Sequence, residues 1–144
     1  MTFAYFDTSA LVKRYIRELG SAQVDSLLRR HDFLSSAITP VEVLSALWRR
    51  KRSGDLSEPE LAALLERIQS ERIRWELVEV GGTVLKQAEE IIQERAPMRS
   101  LDAIHVASLM AFQTAVSVQI PFVTGDARQR DAAKHLGLDV VWVG

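Results

Sequence analysis

At 144 residues the chain has room for one hydrophobic core and not for two, so a single domain over 1–144 is expected. Its composition, 47% hydrophobic and 26% charged, is that of an ordinary globular protein and excludes a disordered or collagen-like chain. The lack of cysteine excludes disulfides, a thiolate zinc site and a thiol nucleophile, and the formal charge of -1 gives no support to nucleic-acid binding over the whole surface, leaving open only a local basic groove.

The chain begins Met1-Thr2-Phe3-Ala4-Tyr5-Phe6-Asp7 without a basic leader, and no later apolar run reaches the roughly 20 residues of a membrane span; a cytoplasmic protein free of the membrane is expected. An apolar strand is predicted over Thr2–Phe6, followed by helices over Ser9–Glu18 and Ser21–Arg30 and a short strand over Phe33–Ile38. Thr39-Pro40-Val41-Glu42 opens the next helix, which carries Val43, Leu44, Leu47 and Trp48 on one face and ends in Arg49-Arg50-Lys51-Arg52 ahead of Gly54. Further helices are predicted at Glu58–Arg72, Thr83–Arg95, Leu101–Ala115 and Ala127–Leu136, and strands at Trp75–Val80, Pro121–Thr124 and Val140–Val143. Alternation of this kind, with short strands that are apolar throughout, predicts a three-layer α/β domain whose central parallel sheet is covered by helices on both faces.

In such a fold the C-terminal ends of the strands and the N-termini of the helices share the edge where ligands bind. Asp7 follows the first strand directly, Glu42 falls in the first turn after the second, Asp102 opens the helix leading to the strand at Pro121, and Asp126 follows that strand. Each has a bland explanation: Thr39-x-x-Glu42 reads as a capping box, Asp126-x-x-Gln129 as another, and an early acid complements the helix dipole. Capping, however, scatters acids over both edges, whereas here four fall on one. Two carboxylates 4 Å apart repel by ~4 kcal/mol at an effective dielectric near 20, so such a group requires a cation or extra protons. Oxygen donors without a thiolate suit Mg²⁺ or Mn²⁺.

Asp7-Thr8-Ser9-Ala10-Leu11, Glu42, Leu101-Asp102-Ala103-Ile104-His105-Val106-Ala107 and Thr124-Gly125-Asp126 together resemble the PIN-domain family, over essentially the whole chain. By its compact length and its closing Ala132-Ala133-Lys134-His135-Leu136-Gly137-Leu138, the chain looks like the VapC-type toxins of toxin–antitoxin pairs. The resemblance implies a parallel sheet of about five strands and a Mg²⁺- or Mn²⁺-dependent endoribonuclease cutting an RNA substrate. It also implies a cognate antitoxin and a homodimer or antitoxin-bound hetero-oligomer. Asp7, Glu42, Asp102 and Asp126 match the family's acidic, metal-binding catalytic quartet, and Ser9 and Thr124 its flanking hydroxyls. Gly125 departs from the Phe or Tyr found there in many relatives.

Arg99 is read as a phosphate contact or as the partner of a nearby acid. The run Arg49–Arg52 suits a helix C-terminus and reads as a solvated face, with an RNA path as its functional alternative. His105, three residues from Asp102, is read as a core or supporting histidine and is not assigned to metal, while Trp48, Trp75, Met110 and Phe112 read as core. A haloacid-dehalogenase phosphatase would need a second Asp where Ser9 stands, and a receiver domain would need an acidic pair at the first strand. The competing reading is a non-catalytic PIN-fold binding module that acts through a protein partner.

Overall fold

The computed structural model describes residues 2–94 and 97–144. Five strands, β1 Phe3–Phe6, β2 Asp32–Ser36, β3 Glu76–Val78, β4 Phe122–Thr124 and β5 Val140–Trp142, form one parallel sheet in the order β3-β2-β1-β4-β5. The helices are α1 Thr8–Tyr15, α2 Ser21–Arg30, α3 Thr39–Arg52, α4 Glu58–Glu71, α5 Gly82–Gln93, α6 Ser100–Val116 and α7 Ala127–His135. None among the described residues is long and apolar enough to cross a membrane.

The two faces of β1 explain the layers. Successive strand residues point to opposite sides, and Ala4, Tyr5 and Phe6 are all fully buried. Ala4 and Phe6 pack with Leu11, Val24, Val43, Leu47, Leu61 and Ile68 of α1 to α4. Tyr5 faces the other way, among Val84 and Ile91 of α5, Ala103, Val106 and Leu109 of α6, and Ala133 of α7. A strand covered on both sides is apolar on both faces, which is why β1 does not alternate.

Element ends differ from expectation where a tertiary partner intervenes. The first helix stops at Tyr15 rather than Glu18, because the Ser21 hydroxyl accepts from the Glu18 amide and donates to the Ile16 carbonyl, folding the link back on itself. β3 is shorter than predicted: a 3₁₀ turn at Arg72–Arg74 precedes it, and as an edge strand it pairs with β2 alone. The predicted end of α5 at Arg95 lies outside the described residues. On α3, Val43 and Leu47 are fully buried, whereas Leu44 and Trp48 are 36% and 43% exposed. Packing with α1 and α4 covers a narrower stripe of that helix than its apolar residues span, so Trp48 is not core.

Chain order reverses between β1 and β4, the two strands that flank the crevice of such a sheet. Phe6 is in register with Val123, and the Asp7 amide donates to the Val123 carbonyl at 3.1 Å. This pairing brings the segment after β1 beside the loop after β4.

Candidate active site

A cavity of about 730 Å³ opens at that edge, and Asp7, Glu42, Asp102 and Asp126 all line it, with Ser9 and Arg99. The acids come from four separate places in the chain: the end of β1, the first turn of α3, the first turn of α6 and the cap of α7. Thr124 lies beneath the cavity, fully buried, and reaches it only through Asp7.

Asp7 is 3% exposed and caps α1, its Oδ1 accepting from the Ala10 amide at 3.0 Å and from the Ser9 hydroxyl at 2.6 Å. Thr124 donates to Oδ2 at 2.5 Å. The same two hydroxyls hold the β4–α7 loop: the Gly125 amide donates to Ser9 Oγ at 2.9 Å and the Asp126 amide to Thr124 Oγ1 at 3.1 Å. Burial pushes the Asp7 carboxyl above its ordinary range, against the opposing pull of His105 and of the bonds from Ser9, Thr124 and Ala10.

Glu42 is held differently. Thr8 donates to its Oε1 at 2.6 Å, and His105 Nε2 lies 2.6 Å from the same oxygen. Burial raises its pKa, but the His105 and Thr8 contacts outweigh that effect and leave the carboxyl below its usual value. Thr39 does not cap this helix as expected. Its buried hydroxyl lies 2.6 Å from Ser35 Oγ, which itself donates to the Phe6 carbonyl, so Thr39 ties α3 to the sheet. Glu42 is thereby free of any capping duty.

Asp102 is raised by burial and then by the charge of Asp126. Asp126 caps α7, accepting from the Arg128 and Gln129 amides at 2.9 and 3.3 Å. The reciprocal half of the expected box is missing, because Gln129 turns its side-chain amide to the Asp102 carbonyl at 3.2 Å and so fastens α7 to α6. Among the described residues, no group of three or more His, Asp and Glu stands close enough to hold an ion as it is. The acids share a cavity, each anchored to its own neighbours.

Two contributors, Tyr5 and Lys13, carried no motif, and Thr8 stood inside one with no role assigned to it. The Tyr5 hydroxyl lies 2.7 Å from His105 Nδ1, completing a buried chain from β1 to Glu42. The position of His105, three residues beyond Asp102 on one helix, was the available signal for it. Lys13 lines the cavity with its ammonium on the Leu19 carbonyl at 2.6 Å and on Glu18 at 3.2 Å. Gly125 makes room for it, since a Cβ there would stand 2.6 Å from Lys13 Cε. The basic run divides: Arg49 and Arg50 line the cavity, and Arg50 pairs with Glu18 at 3.2 Å. Arg49 makes no ion pair among the described residues.

The family model of the PIN domain matches residues 4–135. Ribonuclease VapC46 of Mycobacterium tuberculosis is 32% identical over 142 residues, 98% of each chain, and Ribonuclease VapC45 of the same species is 36% identical over 112 residues, 77% of each. Among solved structures, a toxin–antitoxin complex from Klebsiella pneumoniae superposes with a TM-score of 0.67 at 16% identity, covering 98% of both chains, a likeness of fold.

Proposed function

This chain belongs to the PIN-domain family, as a relative of the VapC ribonucleases, and we propose that it is a divalent-metal-dependent endoribonuclease acting as the toxin of a toxin–antitoxin pair. The observation that carries this reading is the meeting of Asp7, Glu42, Asp102 and Asp126 at one cavity on the ligand-binding edge of the sheet. The donor chemistry fits a hard divalent cation: with both ring nitrogens of His105 engaged, the acids offer oxygen ligands, and burial pushes Asp7 upward while burial and the Asp126 charge push Asp102 upward in a way that a nearby cation would relieve. Those four carboxylates would hold it. Such an ion supplies electrophilic stabilisation of charge on a phosphodiester and eases deprotonation of the attacking water.

The remaining chemistry belongs to the side chains. Ser9 and Thr124 fix both oxygens of Asp7 and couple it to the loop that carries Asp126. Arg49 and Arg99, at the cavity wall, supply positive charge for the phosphates that flank the cleaved bond. One of the four carboxylates would also accept the proton of the attacking water. The exposed face of α3 at Val41, Leu44 and Trp48 supports the antitoxin reading, since apolar residues left open beside a site favour a protein partner.

RNA cleavage in Mn²⁺ or Mg²⁺ by the wild type and by Asp102→Asn tests the proposal. Loss of cleavage in the variant, and in the wild type with EDTA, is expected. Equal cleavage by both would overturn it.

A further inference from the structure

We propose that His105 is a positioning residue for this reaction: it acts through Glu42, fixing one carboxylate oxygen so that the other is left for the cavity. The inference rests on the ribonuclease reading above and adds a role to a residue outside the acidic quartet.

The geometry leaves the imidazole no freedom for other work. His105 is 3% exposed, with Nε2 at 2.6 Å from Glu42 Oε1 and Nδ1 at 2.7 Å from the fully buried Tyr5 hydroxyl. With both ring nitrogens engaged, the ring has no lone pair to offer a cation and no free N–H to offer a phosphate. Thr8 adds a second donor to the same Glu42 oxygen at 2.6 Å and lies 3.2 Å from Nε2. Thr8 of α1 and His105 of α6, the latter held from behind by Tyr5 of β1, thus converge on one atom of a side chain from α3.

The other oxygen is the consequence. Glu42 Oε2 accepts no hydrogen bond among the described residues, and it is not sealed in, since the buried oxygen without a partner among them belongs to Gln129. A flexible glutamate pinned at Oε1 presents Oε2 in one direction. Partners that orient a ligating group in this way typically matter about 10- to 100-fold in metal affinity or activity.

A merely structural His105 would also tie α6 to β1, through its edge-on contact with the Tyr5 ring at 5.9 Å. Coupling to Glu42 separates the two roles. The variants are His105→Leu, His105→Gln, which restores an N–H donor, and Thr8→Val, which leaves the buried Tyr5–His105 pair untouched if His105→Leu fails to fold. Each is made in the wild type and in Glu42→Gln. Three quantities are read: Mn²⁺ affinity by calorimetry without RNA, and kcat and KM for RNA cleavage.

His105→Leu and Thr8→Val are expected to weaken Mn²⁺ binding and kcat by about 10- to 100-fold with KM for RNA little changed, His105→Gln to recover most of the loss, and none to matter once Glu42 is Gln. Mn²⁺ binding and cleavage within about twofold of wild type in Thr8→Val and in a folded His105→Leu, or equal losses in the Glu42→Gln background, would overturn the inference. Wild-type protein that binds Mn²⁺ through this network yet cuts no RNA would overturn the ribonuclease reading and leave the positioning of Glu42 standing.

Discussion

Asp7 carries a structural duty and a chemical one, and two substitutions at that position separate them. Asn keeps an acceptor oxygen for the Ala10 amide and is as good a helix cap as Asp, while it removes a charge that burial makes unfavourable. Ala removes the cap and strips Ser9 and Thr124 of a shared partner, although those hydroxyls still lie 3.3 Å apart. Losing the cap costs about 1 kcal/mol and the hydroxyl bonds a similar amount, so Asp7→Ala is expected about 2 kcal/mol below Asp7→Asn. For a domain of this size that is about 6 °C in melting temperature. The sign with pH follows from the raised carboxyl. Its contribution to stability is fully present below the unfolded value, near 3.9, and is lost as pH rises through the folded value. In EDTA the Asn variant should therefore match or exceed wild type at neutral pH, with the gap closing toward acid. Thermal melts of the three proteins from about pH 4 to about pH 8, with RNA cleavage in Mn²⁺ alongside, test this. An Asn variant less stable than the Ala variant, a gap that widens toward acid, or retained cleavage in either variant would refute the reasoning.

Mn²⁺ should raise the melting temperature of the wild type by the equivalent of about 2.7 kcal/mol at one hundred times its dissociation constant. Asp102→Asn should respond weakly, and an equal response would argue against Asp102 as a ligand. Gly125→Ala should cost about 1 to 3 kcal/mol by forcing Lys13 aside. That penalty should largely vanish in a Lys13→Ala background, as denaturant melts of the double mutant would reveal; full additivity would mean that Lys13 is not the obstacle. Glu71 is pushed up by burial but held below its ordinary range by Tyr15, Arg14 and Arg67, which join α1 to α4. Its stabilisation is present above the unfolded value, near 4.3, and disappears as pH falls through the folded one. Glu71→Gln should lose about 1 kcal/mol at neutral pH and converge with wild type in acid; a constant difference would show that the charge is not the cause.

Much of the fold was legible in the sequence because its signals are local. Period and punctuation mark a helix within a few residues, and Pro40 at the start of α3 and Gly54 after its end mark that helix with no help from the rest of the chain. The four acids were legible for the same reason. An acid just past a strand or in the first turn of a helix lies on the ligand edge of any parallel α/β sheet, so Asp7, Glu42, Asp102 and Asp126 could be placed on one edge before their neighbours were known. What each acid bonds was not local. Thr39 and Glu42 have the spacing of a capping box, yet Thr39 finds Ser35 and Glu42 finds Thr8 and His105. Gln129 has the spacing to cap and instead takes the Asp102 carbonyl.

Residue types and spacing thus determined the elements, the parallel sheet and the edge on which the acids gather. Tertiary structure decided the state of each acid: His105 reaches Tyr5 across 100 residues and Glu42 across 63, and Lys13 settles over Gly125 from the opposite end of the chain. Such contacts depend on how helices seat against a sheet, to within the reach of one hydrogen bond. That seating is fixed by the packing of the whole core, and no short stretch of sequence encodes it.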